Sequence, residues 1–272
     1  MAQERAFDLQ GHRGARGNFP ENSIPGFIHA IQCGVSTLEL DIVFSKDLDL
    51  IVSHEPWMSC EICLDPSGNP IHCNDDRKLN IFMMSLEEIQ AFDCGTKFHP
   101  RFPEQLKIKT IKPTLNQVFE EIEAFLKLNQ RSEIRYNIEI KSYPEWDGVY
   151  QPTISVICEN VLEILGKYNL AERCVIQSFD SRVIKYLHGK HEHLAFLIEK
   201  HFEIQDIIDL LGFYPQILSP HYSLVDEQLI QHAQINNFKL IPWTVNDKTF
   251  MKKIYEIGCH GLITDFPCDF SR

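Results

Sequence analysis

Short β-rich runs alternate with helical stretches along almost the whole chain, and no other feature constrains its fold as strongly. The β-rich runs fall at 7–10, 37–43, 136–140, 175–178, 194–198, 216–218, 239–243 and 261–264. Helical patterns occupy 22–33, 114–128, 153–168, 181–190, 203–212, 226–236 and 247–257. Gly34 follows the first helix, where a left-handed C-terminal residue is wanted. Strands separated by helices pair in parallel and carry those helices on the sheet's faces. Eight strands are the number that closes a (β/α)8 TIM barrel, and 272 residues fit one such domain, which takes about 250. The expected fold is an α/β barrel formed as a single domain over residues 1–272.

One strand breaks the alternation. Only Ser45 to Asp49 separate the 37–43 run from Leu50-Ile51-Val52-Ser53-His54, and so short a loop predicts a β-hairpin after strand two. Its turn, near Asp47 and Leu48, brings His54 back roughly opposite Asp41. From His54 to the helix at Thr114 the chain lacks regular pattern for about sixty residues, too long for a plain loop in a compact domain. Residues 56–111 are therefore read as an insertion capping the barrel mouth and selecting substrate, with a short helix at Ser85–Ala91. Its aromatic residues Trp57, Phe82, Phe92, Phe98 and Phe102 are expected to form the insertion's own small core; an acyl pocket is the alternative.

Charge and cysteine content narrow the partners. A net charge of -12 opposes nucleic-acid binding, which needs basic surface to displace counterions. Phosphate chemistry must then be local, carried by a few cations or a metal ion in one pocket. The opening MAQERAFDLQ has no apolar core of a signal peptide, and no stretch is apolar for the eighteen or so residues that cross a bilayer. A cytoplasmic protein without stable membrane association is expected, or a periplasmic or secreted one if a leader has been removed. Nine cysteines, among them Cys33, Cys158 and Cys174 in apolar contexts, suit reduced thiols better than a disulfide framework. The group Cys60, Cys63, Cys73 and Cys94 with His72 invites a zinc reading, but its later spacings match no ribbon or finger.

Barrels of this type place functional groups at the C-terminal ends of their strands. Strand one ends in His12-Arg13 between Gly11 and Gly14. Strand two carries Glu39 and Asp41, two positions apart and so on one face. The next stave ends with Glu139 and Lys141, and the following one with Gln177. Trp243 and Asn246, then Thr264 and Asp265, follow the last two. Three buried carboxylates converging on one mouth need a compensating cation. An all-oxygen set of Glu39, Asp41 and Glu139 suits one Mg2+ or Ca2+; salt bridges to Arg13 and Lys141 without a metal are the alternative. His12 and His54 sit at strand ends beside this cluster and form a candidate acid–base pair, with Arg13, Lys141 and the cation neutralising a bound phosphodiester.

The chain resembles the glycerophosphodiester phosphodiesterases, a branch of the phosphatidylinositol phospholipase C-like TIM-barrel phosphodiesterases. The resemblance rests on His12-Arg13-Gly14, Pro20-Glu21-Asn22-Ser23, Glu39-Leu40-Asp41, Asp47, Val52-Ser53-His54, Glu139-Ile140-Lys141, Gln177-Ser178-Phe179-Asp180, Trp243-Thr244-Val245-Asn246 and Thr264-Asp265-Phe266-Pro267. It implies that residues matching Glu39, Asp41 and Glu139 bind the metal and those matching His12 and His54 transfer protons. The departures are Ser23 where the family has Thr, Glu55 where Asp is common, and Leu48 where a glycine usually follows the first Asp of the turn. The implied reaction is hydrolysis of a small glycerophosphodiester to sn-glycerol 3-phosphate and an alcohol. His54 is assigned as acid, His12 as base, and Trp243 as the floor of the glycerol end, with Gln177 beside it. The alternatives are phospholipase-D-like hydrolysis of lysophospholipids or sphingolipids, and a non-catalytic barrel that binds phosphodiesters.

Overall fold

The computed structural model describes residues 7–271; Met1–Ala6, part of the opening segment weighed above, lie outside them. Nine strands form one sheet: β1 (Asp8–Gly11), β2 (Thr37–Phe44), β3 (Leu50–Val52), β4 (Arg135–Ile140), β5 (Cys174–Ser178), β6 (Leu194–Ile198), β7 (Ile217–Pro220), β8 (Lys239–Leu240) and β9 (Gly261–Thr264). Eight of them are parallel neighbours in the order β8-β7-β6-β5-β4-β2-β1-β9. Backbone bonds from His260 to Leu240 and from Ile263 to Pro242, both 2.9 Å, join the two ends into a barrel. β8 stops three residues before the expected end. Pro242 has no N–H to continue the ladder, although its carbonyl still takes part in the closure.

The outer ring contains α1 (Ile24–Gln32), α3 (Leu115–Leu128), α4 (Ile154–Tyr168), α5 (Ser181–Leu187), α6 (Ile204–Leu211), α7 (Glu227–Asn236) and α8 (Lys248–Glu256), while α2 (Leu86–Gln90) lies in the insertion. Short polar side chains begin these helices: Ser23, Thr114, Asp180, Asp226 and Asp247 each accept a first-turn backbone N–H, satisfying donors that the helix itself leaves unpaired. The main apolar core lies between helices and sheet, with Phe27, Phe119, Tyr136 and Ile157 fully buried. A second small core, Val175, Ala195, Ile217, Ile241 and Ile263 with Trp243 against it, fills one side of the barrel.

The hairpin forms as expected, with its register one residue from the reading above. Ile42 pairs with Val52 and Ser53 N–H donates to Asp41 O, so Ser53 rather than His54 faces Asp41 across the strands. At its turn Leu48 adopts φ +66, a left-handed conformation that costs an L side chain about 1–2 kcal/mol.

The insertion packs a core of its own from Met58, Cys63, Ile81, Ile89, Phe92 and Cys94 against Val43 and Ile51 of the hairpin. Of the five aromatics assigned to that core only Phe92 belongs. Trp57 packs edge-on to Trp146 and Tyr150, Phe102 meets Phe266, and Phe98 is half-exposed. Aromatic composition does not encode which surface each ring will meet. The insertion rests on the loop after β1: Gln105 donates to Arg16 O, and Leu106 to Asn18 O.

The reduced-thiol reading needs correction for four cysteines. Cys60 is bonded to Cys73 and Cys33 to Cys268, with Cα separations of 5.1 and 4.7 Å, inside the disulfide range. The second bond ties the end of α1 to the C-terminal segment, a proximity created by barrel closure and invisible in sequence spacing. Cys63, Cys94, Cys158, Cys174 and Cys259 are buried and form no disulfide among the described residues. Pairing of Cys60 with Cys73 also removes two ligands from the zinc reading.

Candidate active site

The glycines of Gly11-His12-Arg13-Gly14 are steric requirements. A Cβ on Gly11 would meet the Gly14 carbonyl at 2.3 Å, and Gly14 itself has φ +87 with Gly26 backbone at 2.8 Å from its missing Cβ. This tight turn at the end of β1 places Arg13, at φ +50, so that its backbone N–H donates to Glu39 Oε2 at 2.8 Å.

Parallel pairing of β2 with β4 sets Asp41 beside Glu139. Ligand oxygens of Glu39, Asp41 and Glu139 lie within 4.8 Å of one another, and all three side chains are buried. Glu39 Oε1 accepts from Gln177 at 2.9 Å. Gln177 in turn accepts from Asn137, which also donates to Gln10, so a chain of amides inside the barrel fixes Glu39. Asp41 Oδ2 accepts from Asn22 at 2.9 Å. Its other oxygen, Oδ1, is buried without a hydrogen-bond partner among the described residues, and Lys141 Nζ is 3.9 Å away. A buried carboxylate oxygen left bare is costly, and a hard divalent cation on the oxygen cluster would satisfy it. The residues therefore fit a metal.

The charges within the cluster are set unequally. Burial, reinforced by Asp41 and Glu139, raises Glu39 well above the usual carboxylate range. Burial and Asp41 also raise Glu139, against the opposing pull of Lys141. Burial works in the same direction on Asp41, but Arg13, His54 and Lys141 outweigh it and hold Asp41 low. Repulsion among three carboxylates is the condition that a bound cation relieves.

Both candidate histidines are anchored on carboxylates. His12 Nδ1 is 2.6 Å from Asp265 Oδ1, and Asp265 also accepts from Asn246 at 2.7 Å. Burial tends to raise Asp265, yet His12 and Arg16 hold it low. With Asp265 ionised, His12 Nδ1–H donates and Nε2 keeps its lone pair. Burial lowers the His12 pKa below its ordinary value despite Asp265. His54 Nδ1 is 2.7 Å from Glu55 Oε1 and its Nε2 is 3.1 Å from Lys141 Nζ. Burial opposes ionisation of Glu55, but its bond to His54 brings it down to about 2. Lys141 also donates to Glu139 at 2.7 Å. Arg13 is paired with Glu21 at 2.9 Å and Asp41 at 3.3 Å.

These groups share one cavity of about 320 Å3, lined by His12, Arg13, Glu39, His54, Glu139, Lys141, Gln177 and Trp243. Trp243 donates its Nε1–H to Ser219 O at 2.8 Å and meets Phe179 edge-on at 5.5 Å. The nine residues given catalytic, metal or substrate roles from the sequence all line this cavity except Asp41, which has a ligand oxygen within 4.8 Å of those of Glu39 and Glu139. Sequence reasoning gave no role to Asp265, Glu55, Glu21 and Arg16. Asp265 and Glu55 carried a signal, as carboxylates at a strand end and beside a histidine. Arg16, 3.2 Å from Asp265, carried none, because its position depends on how the loop after β1 turns.

The family model described as "Glycerophosphoryl diester phosphodiesterase family" matches residues 12–268. A glycerophosphodiester phosphodiesterase of Caldanaerobacter subterraneus is 30% identical over 94% of this chain and 93% of its own length. The crystal structure of a provisionally named glycerophosphoryl diester phosphodiesterase from Silicibacter pomeroyi superposes with a TM-score of 0.84 at 23% identity, covering 98% of this chain and 92% of that one. A phosphodiesterase from Oleispira antarctica, solved in complex with the product sn-glycerol-3-phosphate, gives 0.70 at 21% identity over 96% and 94%. At these identities the two structures speak for the fold.

Proposed function

Because the chain belongs to the glycerophosphoryl diester phosphodiesterase family and is a phosphodiesterase of that class, we propose that it hydrolyses glycerophosphodiesters to sn-glycerol 3-phosphate and a free alcohol by metal-dependent, two-histidine acid–base catalysis. One observation carries this reading: His12 and His54, each fixed by a carboxylate at Nδ1, line the same cavity as Glu39 and Glu139. Glu39, Asp41 and Glu139 would hold one Mg2+ or Ca2+, which when bound offsets the negative charge of the phosphodiester. Arg13 and Lys141 grip the phosphate oxygens, Gln177 holds Glu39 in place, and Trp243 floors the glycerol end.

His12, kept neutral by burial, takes the proton of the attacking oxygen at Nε2, and Asp265 steadies the imidazolium that results. For His54 to protonate the leaving alcohol its Nε2 must carry a proton, so Lys141 must turn from that nitrogen to the substrate's phosphate. The bare Asp41 Oδ1 supports the metal. The named product of the Oleispira antarctica relative supports the choice of product.

Localisation follows the disulfides. No described helix is long and apolar enough to cross a membrane. Cys60–Cys73 and Cys33–Cys268 favour the periplasmic or secreted alternative over the cytoplasm, since such bonds persist in oxidising compartments. The functional reading is tested by incubating the protein separately with glycerophosphocholine and lysophosphatidylcholine and identifying the products. Preferential release of sn-glycerol 3-phosphate from the first supports it; preferential cleavage of the lysolipid would replace it with the phospholipase-D-like alternative.

A further inference from the structure

The phosphodiesterase reading leaves the leaving alcohol unassigned, and the insertion contributes little to choosing it. Of residues 56–111 only Arg101 reaches the catalytic cavity, and Arg101 is already held by Glu61 at 2.9 Å. Further lining residues come from β6 and from the loops after β4, β5 and β6: Leu197 within β6, and Tyr143, Phe179 and Glu199 in the loops.

The charge balance along the cavity lining is uneven. Each cationic side chain lining the cavity has a carboxylate partner: Arg13 has Glu21, Arg16 has Asp265, Arg101 has Glu61 and Lys141 has Glu139. With Arg13 and Lys141 engaged by the phosphate, Arg16 and Arg101 are the remaining lining cations, and each is already held by a carboxylate. Glu199 is exposed at the rim, and no ion pair or hydrogen bond links its side chain to another among the described residues. Glu199 lines the same cavity as Tyr143, Phe179 and Leu197. A carboxylate beside aromatic and aliphatic surface is the equipment that binds an alkylammonium, by charge attraction and by cation–π contact.

We propose that Glu199, with Tyr143 and Phe179, forms the subsite for the leaving alcohol and selects a cationic head group such as choline or ethanolamine over neutral alcohols. A choline nitrogen stands two carbons beyond the oxygen that leaves phosphorus. With phosphate held by Arg13 and Lys141, it remains inside a cavity of this size. The proposal rests on the phosphodiesterase reading.

The test measures kcat/KM for glycerophosphocholine and for glycerophosphoglycerol in the full chain and in Glu199→Gln and Glu199→Lys. The parent is expected to prefer the choline diester. Glu199→Gln is expected to lower the choline-to-glycerol ratio about 2- to 5-fold, the size of one exposed ionic contact, and Glu199→Lys to lower it further. A ratio unchanged in both variants, while sn-glycerol 3-phosphate is still released, overturns the subsite and leaves the phosphodiesterase reading standing. A parent that prefers the glycerol diester also overturns it. Failure of the parent to release sn-glycerol 3-phosphate from either diester overturns both.

Discussion

His12 Nδ1 lies 2.6 Å from Asp265 Oδ1 although 253 residues separate them in the chain. The contact exists because β1 and β9 are parallel neighbours with Gly11 in register with Thr264, so the two strand ends deliver their next residues to one point. Asp265 counteracts the effect of burial on His12 without reversing it. Asp265→Asn removes that counterweight, so the His12 pKa falls further below its ordinary 6.5. The acid limb of kcat/KM, which follows protonation of the base in the free enzyme, is then expected to move to lower pH. Turnover at pH 7 is expected to drop about 10²-fold or more as His12 loses its orientation and imidazolium support. A pH profile unmoved from the parent's would reduce Asp265 to a structural role.

Loss of either histidine removes a proton-transfer step. His12→Ala and His54→Ala are each expected to reduce turnover about 10²-fold or more with the fold intact. A nitrophenyl phosphodiester, whose alcohol leaves without protonation, should partly rescue His54→Ala and not His12→Ala. Rescue of the opposite variant would exchange the two roles.

The hairpin turn offers a stability test remote from the chemistry. Leu48 occupies φ +66 and is 38% exposed, so Leu48→Gly relieves left-handed strain and gives up the leucine surface that the fold covers. Relief of about 1–2 kcal/mol is set against a glycine entropy cost of about 0.5–1 kcal/mol and about 1–2 kcal/mol of lost burial, which predicts a Tm within a few degrees of the parent's, with hydrolysis unchanged. A larger fall in Tm would show that the turn depends on the leucine side chain.

The disulfide in the insertion closes a short loop, Cys73 standing 13 positions after Cys60. Chain-entropy reasoning gives such a link about 3 kcal/mol, so Cys60→Ser with Cys73→Ser is expected to unfold at lower denaturant concentration than the parent. Peptide mapping without reductant is expected to recover both the 60–73 and the 33–268 pairs. Free thiols at all four positions would restore the reduced reading.

Most of the barrel was legible because strand and helix periods are local properties. β6 and β9 match their β-rich runs residue for residue, and the carboxylate set followed from two-residue spacing at strand ends. Properties that depend on closure were not legible. The Cys33–Cys268 bond and the Arg16–Asp265 pair join segments more than 200 residues apart. The insertion was recognised by its lack of pattern, and for the same reason its internal packing could not be read. Trp57 turned to Trp146 and Tyr150, partners that no periodicity connects to it.

Asp41, in the middle of the carboxylate cluster, keeps a buried Oδ1 without a hydrogen-bond partner among the described residues. The most direct measurement is release of sn-glycerol 3-phosphate from glycerophosphocholine by protein dialysed exhaustively against EDTA, assayed before and after adding Mg2+ or Ca2+. The predicted result is near-complete loss of hydrolysis in the chelated protein and recovery with one of the two ions. Asp41→Asn should recover far less at the same ion concentration. Full activity of the parent in excess EDTA would contradict the account, leaving the three carboxylates as partners of Arg13 and Lys141 alone.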